Sequence, residues 1–206
     1  MDTWRTFIAI ELDEELKGHL QRLQGRLREE MPPRSVRWVR PEGIHLTLKF
    51  LGDTPVSRVG AVQAALARAA AQARTFRFEV GGLGCFPHSR RPRVVWVGLH
   101  EPTGSLADLH RAIEDQVSPL GFPSEKRAFH PHLTLGRVQR WASKSEVRRI
   151  GEIVARSALG TLDEMTVERV CYIKSDLRPS GAVYTTLYAA TLGGEREARQ
   201  AAGSHR

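Results

Sequence analysis

The tetrapeptide HLTL occurs twice, in GIHLTLKFLGD at Gly43–Asp53 and in FHPHLTLGRV at Phe129–Val138. HLTL is a reasonable strand sequence that can recur by chance, but a turn and a helix are predicted after both copies. Other paired features are Cys85-Phe86 with Cys171-Tyr172, and Arg91-Pro92 with Arg178-Pro179. These matches favour an internal duplication whose halves pack about a pseudo-two-fold axis, as in an isologous dimer. The two HLTL segments would then line a common cleft.

The apolar pattern predicts interleaved strands and helices. Strands are expected at Trp4–Ile10, Val36–Val39, Ile44–Leu51, Phe76–Val80, Val94–Leu99, His132–Val138, Met165–Lys174 and Val183–Leu192. Helices are expected at Asp13–Glu30, Val56–Ala73, Ser105–Val117 and Ser143–Ser157, with a turn at Gly52–Pro55. Several strands alternate apolar and polar residues, so each sheet has one covered face. This pattern is typical of an α+β fold with mostly antiparallel strands.

Composition narrows the class of protein. The chain has 206 residues, 41% of them hydrophobic and 26% charged, which is ordinary for a globular protein. It lacks an apolar run of the roughly 20 residues that a membrane span needs, so no membrane-spanning segment is predicted. It also lacks a basic leader, so no signal peptide is predicted. Two cysteines without a CxxC motif indicate a reducing cytoplasm. The net charge of +8 favours a polyanionic partner such as nucleic acid.

The alternation within HLTL predicts a polar face carrying chemistry. Side chains two apart on a strand share a face, so His45 and Thr47 point one way and the leucines the other. The same holds for His132 and Thr134. One such pair is more often structural, but two pairs in a duplicated frame favour function. Two imidazoles across a cleft can act as acid and base at phosphorus, while the threonine hydroxyls bind phosphate oxygens. A zinc site is less favoured, because a third ligand at suitable spacing is missing.

These motifs resemble those of the 2H phosphoesterase superfamily. Within it, GIHLTLKFLGD and FHPHLTLGRV are similar to the bacterial and archaeal RNA 2′,3′-cyclic phosphodiesterases, historically called 2′-5′ RNA ligases. The resemblance runs from about Thr3 to Leu192. It implies two lobes, each an antiparallel sheet backed by helices, with both motifs in a central cleft. It also implies hydrolysis of a terminal 2′,3′-cyclic phosphate to a 2′-phosphate without metal or cofactor, with His45 as proton donor and His132 as proton acceptor. The residues alone do not favour this order over its reverse.

Other residues are candidates for binding substrate. His130 lies two before His132, and Arg137 lies on the leucine face of its strand unless a bulge turns it. Arg127 precedes the second motif, and Arg91 belongs to a basic loop; for all four, a solvated surface position is the alternative. Lys49 is expected to be exposed at a strand end. Aromatic side chains can stack on RNA bases, although aromatic residues on strands more often belong to the core. The candidates for stacking are Phe50, Phe86, Phe129 and Tyr172.

The sequence therefore predicts one bilobal domain over residues 1–192 and a flexible tail over 193–206. Its expected partner is RNA with a 2′,3′-cyclic phosphate end, or a cyclic nucleotide. The internal pseudo-dimer favours a monomer. No contact with a membrane is expected. Two alternatives stay open. One is a ligase or phosphodiesterase acting on a 2′-5′ linkage or another nucleotide ester. The other is a non-catalytic RNA-binding module.

Overall fold

The computed structural model describes residues 2–125, 127–179 and 181–193. Within these ranges the chain forms four α-helices: α1 Glu14–Glu30, α2 Val59–Gln72, α3 Ser105–Val117 and α4 Lys144–Arg156. It also forms nine strands: β1 Thr3–Glu11, β2 Val36–Trp38, β3 His45–Pro55, β4 Phe76–Phe86, β5 Val94–His100, β6 His132–Val138, β7 Thr161–Val167, β8 Arg169–Arg178 and β9 Gly181–Thr191. Beyond Gly193, the predicted tail lies outside the described residues.

The strands form an antiparallel sheet whose order is symmetric about its centre. The order is β7-β4-β5-β6-β3-β1-β8-β9, and β2 pairs with β6 beside this path. The two halves meet where Leu46 of β3 pairs with Leu133 of β6. Moving outwards from that pair, β5 corresponds to β1, β4 to β8, and β7 to β9. The predicted α+β fold, with two related lobes of antiparallel strands, is confirmed.

The helices begin at capping residues and bury one apolar stripe each. The Asp13 side chain accepts a hydrogen bond from the Leu16 amide at the start of α1. Ser143 and Glu146 form a reciprocal capping box at the start of α4. The core joins apolar side chains of all four helices to the leucines of both HLTL segments. The helices therefore cover the leucine face of the sheet, and the histidine and threonine side chains lie on the opposite face.

Three predicted boundaries were wrong for reasons of strand pairing. The strand expected at Phe76–Val80 continues to Phe86, because its second half pairs with β5. Gly52–Pro55 was expected to form a turn, but β3 continues through these residues and pairs with β1. A bulge before Gly52 shifts the register, and Gly52 has a φ of 71°, a conformation that glycine tolerates. Met165–Lys174 was expected to form one strand. The chain instead changes sheet halves at Glu168, so that β7 pairs with β4 and β8 pairs with β1.

Candidate active site

The two HLTL strands are neighbours, and their register brings the polar pairs together. Leu46 of β3 pairs with Leu133 of β6. Continuing this antiparallel register by one residue in each direction places His45 opposite Thr134 and Thr47 opposite His132. In that register the two histidines are diagonal neighbours on one face of the sheet. All four side chains are half-buried, whereas Leu46 and Leu133 are fully buried. An arrangement of this kind can hold a phosphate group between two imidazoles.

Aromatic side chains from two other strands enclose His45. Its ring stacks on Phe7 of β1 at a centroid distance of 4.6 Å, and the Tyr184 ring of β9 meets it edge-on at 5.2 Å. Burial lowers the pKa of His45 to about 4. A hydrogen bond to the Gly43 backbone and the charge of Glu11 act in the opposite direction. The imidazole is therefore neutral at pH 7 in the unliganded protein.

Glu11 is the cross-strand partner of His45, at the end of β1. Its carboxylate accepts hydrogen bonds from the Thr186 hydroxyl at 2.9 Å and from the Cys171 thiol at 3.3 Å. Burial, followed by the charge of Glu11, raises the pKa of Cys171 to about 12. Cys171 thus acts as a thiol donor that holds the carboxylate in position, and a negative charge is fixed beside the first histidine.

His132 has a corresponding environment in the other half of the sheet. Its Nδ1–H donates to the His130 carbonyl oxygen at 2.7 Å, because a carbonyl can only accept, and Nε2 is left with the lone pair. The Phe86 ring packs at 4.8 Å, edge to face, and the Trp96 ring lies 6.2 Å away. Burial lowers the pKa of His132, the His130 carbonyl opposes this, and the charges of Arg137 and His130 lower it further.

Both HLTL segments contain a bulge at their last leucine. In β6, Thr134 pairs with Trp96 and Gly136 with Val95, so Leu135 is the extra residue. The alternation of faces is reversed after a bulge. Arg137 therefore lies on the face of His132 and not on the leucine face, because the bulge turns it.

The bulge at Leu48 has the same effect in β3, where Thr47 pairs with Ala9 and Lys49 with Ile8. Phe50 is turned to the face of His45. Lys49 is turned to the helical side, so its predicted exposure was wrong: it is 5% exposed. Its ammonium donates to the Glu114 carboxylate of α3 at 2.8 Å and to a backbone carbonyl at 2.6 Å.

The remaining candidates have different locations. His130 is exposed and contributes its carbonyl group to the site. Arg91 is exposed in the loop between β4 and β5, and Arg127 lines a cavity beside Phe50. The Phe129 ring stacks on the His110 ring of α3 at a centroid distance of 4.1 Å. Tyr172 is fully buried on the helical side, so it is unavailable for base stacking.

Sequence reasoning missed Phe7, Glu11, Trp96 and Tyr184. They come from strands far from the motifs along the chain, and nothing in their spacing links them to a histidine. Among the described residues, no group of three or more histidine, cysteine or acidic side chains is arranged to hold a metal ion. Each helix in the same part of the chain falls short of the length and apolarity that a membrane span requires.

The chain is similar to known proteins along most of its length. The family model described as LigT-like phosphoesterase matches the chain twice, at residues 10–96 and 97–184. The chain is 32% identical to a protein of Methanothermobacter thermautotrophicus over 183 residues, which are 89% of this chain and 96% of that one. It is 33% identical to a protein of Thermotoga maritima over 184 residues, covering 89% and 93%. Both relatives are named RNA 2′,3′-cyclic phosphodiesterase.

Solved structures show the same fold. The crystal structure of TT0787 from Thermus thermophilus superimposes with a TM-score of 0.77 at 30% identity, covering 93% of this chain and 99% of that one. The apo form of E. coli LigT gives a TM-score of 0.74 at 24% identity, with the same coverage. At that identity the second match supports the fold alone.

Proposed function

Since this chain belongs to the LigT-like phosphoesterases, we propose that it is an RNA 2′,3′-cyclic phosphodiesterase, the activity for which its relatives are named. The observation that carries the proposal is the pairing of Leu46 with Leu133, which brings two His-x-Thr pairs onto one face of the sheet. The net charge of +8 favours an RNA substrate. The proposed catalyst is a monomer in the cytoplasm.

The proposed reaction is an in-line displacement at phosphorus. His132 takes a proton from water, whose oxygen forms a bond to phosphorus. The bond from phosphorus to the 3′ oxygen breaks, and His45 donates a proton to that oxygen. The product carries a 2′-phosphate. The hydroxyls of Thr47 and Thr134 hydrogen-bond the non-bridging oxygens, where charge develops. Metal is not needed in this scheme.

The charges around the two imidazoles act in the direction of this order, although burial, the larger influence, lowers the pKa of both histidines. The carboxylate of Glu11 faces His45 and favours its protonated form, which a proton donor needs. Arg137 acts on His132 in the opposite sense and favours the neutral form that a base needs. Burial keeps His45 neutral in the free protein, so the negative charge of the bound phosphodiester must help to protonate it.

The direct test uses an oligoribonucleotide with a 2′,3′-cyclic phosphate end, incubated with the protein in EDTA. Product phosphate position is read by NMR. We expect a 2′-phosphate, lost almost completely in His45→Ala and His132→Ala. Thr47→Ala and Thr134→Ala should each cost on the order of 10²-fold, the effect of removing one oxyanion donor. His100→Ala, at the exposed end of β5, is the matched control.

Several outcomes would contradict the proposal. Near-normal turnover by either histidine variant would exclude two-histidine catalysis, and a rate that does not vary between pH 5 and 9 would exclude imidazole acid–base chemistry. Activity that disappears in EDTA and returns with a divalent ion would exclude the metal-independent route. Binding of RNA without conversion by wild-type protein would favour the non-catalytic binding module instead.

A further inference from the structure

A cavity of about 740 Å³ opens beside the proposed active site. One wall is the second half of β3, and the other is the segment over residues 121–125 together with Arg127, which precedes β6. Its lining includes Phe50, Asp53, Arg58, Phe122, Glu125 and Arg127. Both walls thus continue from the strands that carry the two motifs. The volume is in the range of sites that hold a small organic molecule.

Phe50 connects this cavity to the histidines. It is 67% exposed, an unusual fraction for a phenylalanine, and the bulge at Leu48 turns it to the face of His45. Its ring centroid lies 6.1 Å from that of Phe7, which in turn stacks on His45 at 4.6 Å. A row of rings therefore runs from His45 through Phe7 to Phe50 at the cavity, and Phe50 is the most exposed of them.

The polar lining matches a nucleotide better than a bare anion. Arg58 and Arg127 supply guanidinium groups, which bind phosphodiester oxygens well. Asp53 and Glu125 would repel a free phosphate, but their carboxylates can accept from ribose hydroxyls or base amino groups. Lys49 is neutralised by Glu114 and is not available to a ligand.

We propose that this cavity is a subsite for the nucleotide on the 5′ side of the terminal one. In it, the base stacks on Phe50 and Arg127 binds the phosphodiester that joins the two nucleotides. This inference rests on the proposed function and makes the preferred substrate an oligoribonucleotide rather than a free cyclic mononucleotide. Phe50 and Arg127 are then specificity-determining residues that do not touch the reacting phosphate.

The test compares kcat/KM for two substrates, adenosine 2′,3′-cyclic phosphate and a triadenylate with a 2′,3′-cyclic phosphate end. We expect Phe50→Ala to reduce kcat/KM for the triadenylate about 10-fold more than for the mononucleotide, which is in the range for losing one base–aromatic stack. Phe50→Trp keeps an aromatic ring for stacking, so it should retain the wild-type preference for the triadenylate over the mononucleotide. Arg127→Ala should also act mainly on the triadenylate and weaken the dependence of its KM on salt.

Two matched controls lie elsewhere on the surface. Trp141→Ala removes another aromatic ring, 61% exposed, and Arg148→Ala removes a guanidinium on α4 that pairs with Glu152 at 3.6 Å. Neither should change the ratio between the substrates. Equal losses on both substrates in Phe50→Ala, or no loss on either, would overturn the subsite while leaving the proposed function intact. If wild-type protein hydrolyses neither substrate, the proposed function fails, and the subsite with it.

Discussion

Acid should destabilise the folded protein through His45. The imidazole is enclosed by Phe7 and Tyr184, and burial lowers its pKa to about 4. In the unfolded chain the ring is in water and titrates at its ordinary value of about 6.5. Between these two values the unfolded chain binds a proton that the folded protein does not bind. Lowering the pH through this window therefore favours unfolding.

The size of the effect follows from the two pKa values. One pKa unit corresponds to about 1.4 kcal/mol, so at pH 4 the protonation of His45 in the unfolded chain should remove about 3 kcal/mol of unfolding free energy. Above pH 6.5 the ring is neutral in both states and contributes no pH dependence. Below pH 4 it is charged in both states, and the loss reaches its limit.

The measurement is urea denaturation of wild-type protein and His45→Gln at steps from pH 7.5 to pH 4. The variant removes the titrating group and keeps a polar side chain, so the other titrations cancel in the difference between the proteins. We expect the unfolding free energy of the wild type to fall, relative to the variant, by about 3 kcal/mol over this range. The unfolding free energy of the wild type should also fall relative to His132→Gln as the pH is lowered, because burial lowers the pKa of His132 too. A constant difference would refute the reasoning, since it would mean that His45 takes up its proton equally in both states.

Three further substitutions test the groups that support the site and the fold. Glu11→Gln removes the negative charge facing His45 and should lower kcat at pH 7 about 3- to 10-fold while moving the alkaline limb of the kcat profile, which reports the substrate complex, to lower pH; an unmoved limb would show that the carboxylate does not act on the imidazole. Glu114→Ala leaves the buried ammonium beside it without its counter-charge, and the unfolding free energy in urea should fall by about 3–5 kcal/mol; a fall below about 1 kcal/mol would contradict the importance of the pair. Gly151→Ala would place a methyl group 1.8 Å from the backbone carbonyl oxygen of Ser89. We expect this clash to outweigh the gain of about 1 kcal/mol in helix propensity and to lower the melting temperature, and a raised melting temperature would refute it.

Local pattern predicted the parts of the structure that depend on local geometry. The period of two within HLTL was sufficient to place His45 and His132 on one face and the leucines in the core. Asp13 and Ser143 marked the starts of two helices, because their side chains cap the first turn whatever the helix packs against. The duplicated order of elements predicted that the two motifs would meet.

The features that sequence reasoning missed depend on pairing between distant strands. A bulge is a mismatch between two strands, so neither strand alone reveals the extra residue at Leu48 or Leu135. Each bulge reverses the faces of the residues after it, which is why Lys49 is buried and Arg137 reaches the face of His132. Tyr184 contacts His45 only because β8 and β9 return to the first half of the sheet beside β1.

The proposed mechanism gives the two histidines different roles, and the duplicated frame is compatible with that difference. Equivalent positions carry different chemistry: the cross-strand partner is Glu11 for His45 but Gly98 for His132, and the residue after the bulge that shares the histidine face is Phe50 in one strand and Arg137 in the other. A fully symmetric site would bind a phosphodiester in two orientations, and either histidine would then act as the acid in half of the encounters. One carboxylate and one guanidinium at non-equivalent places remove this degeneracy, since the first favours a protonated imidazole and the second a neutral one. In the proposed mechanism, the backbone repeat supplies the spacing of the two histidines, and these unmatched side chains bias the direction of proton transfer.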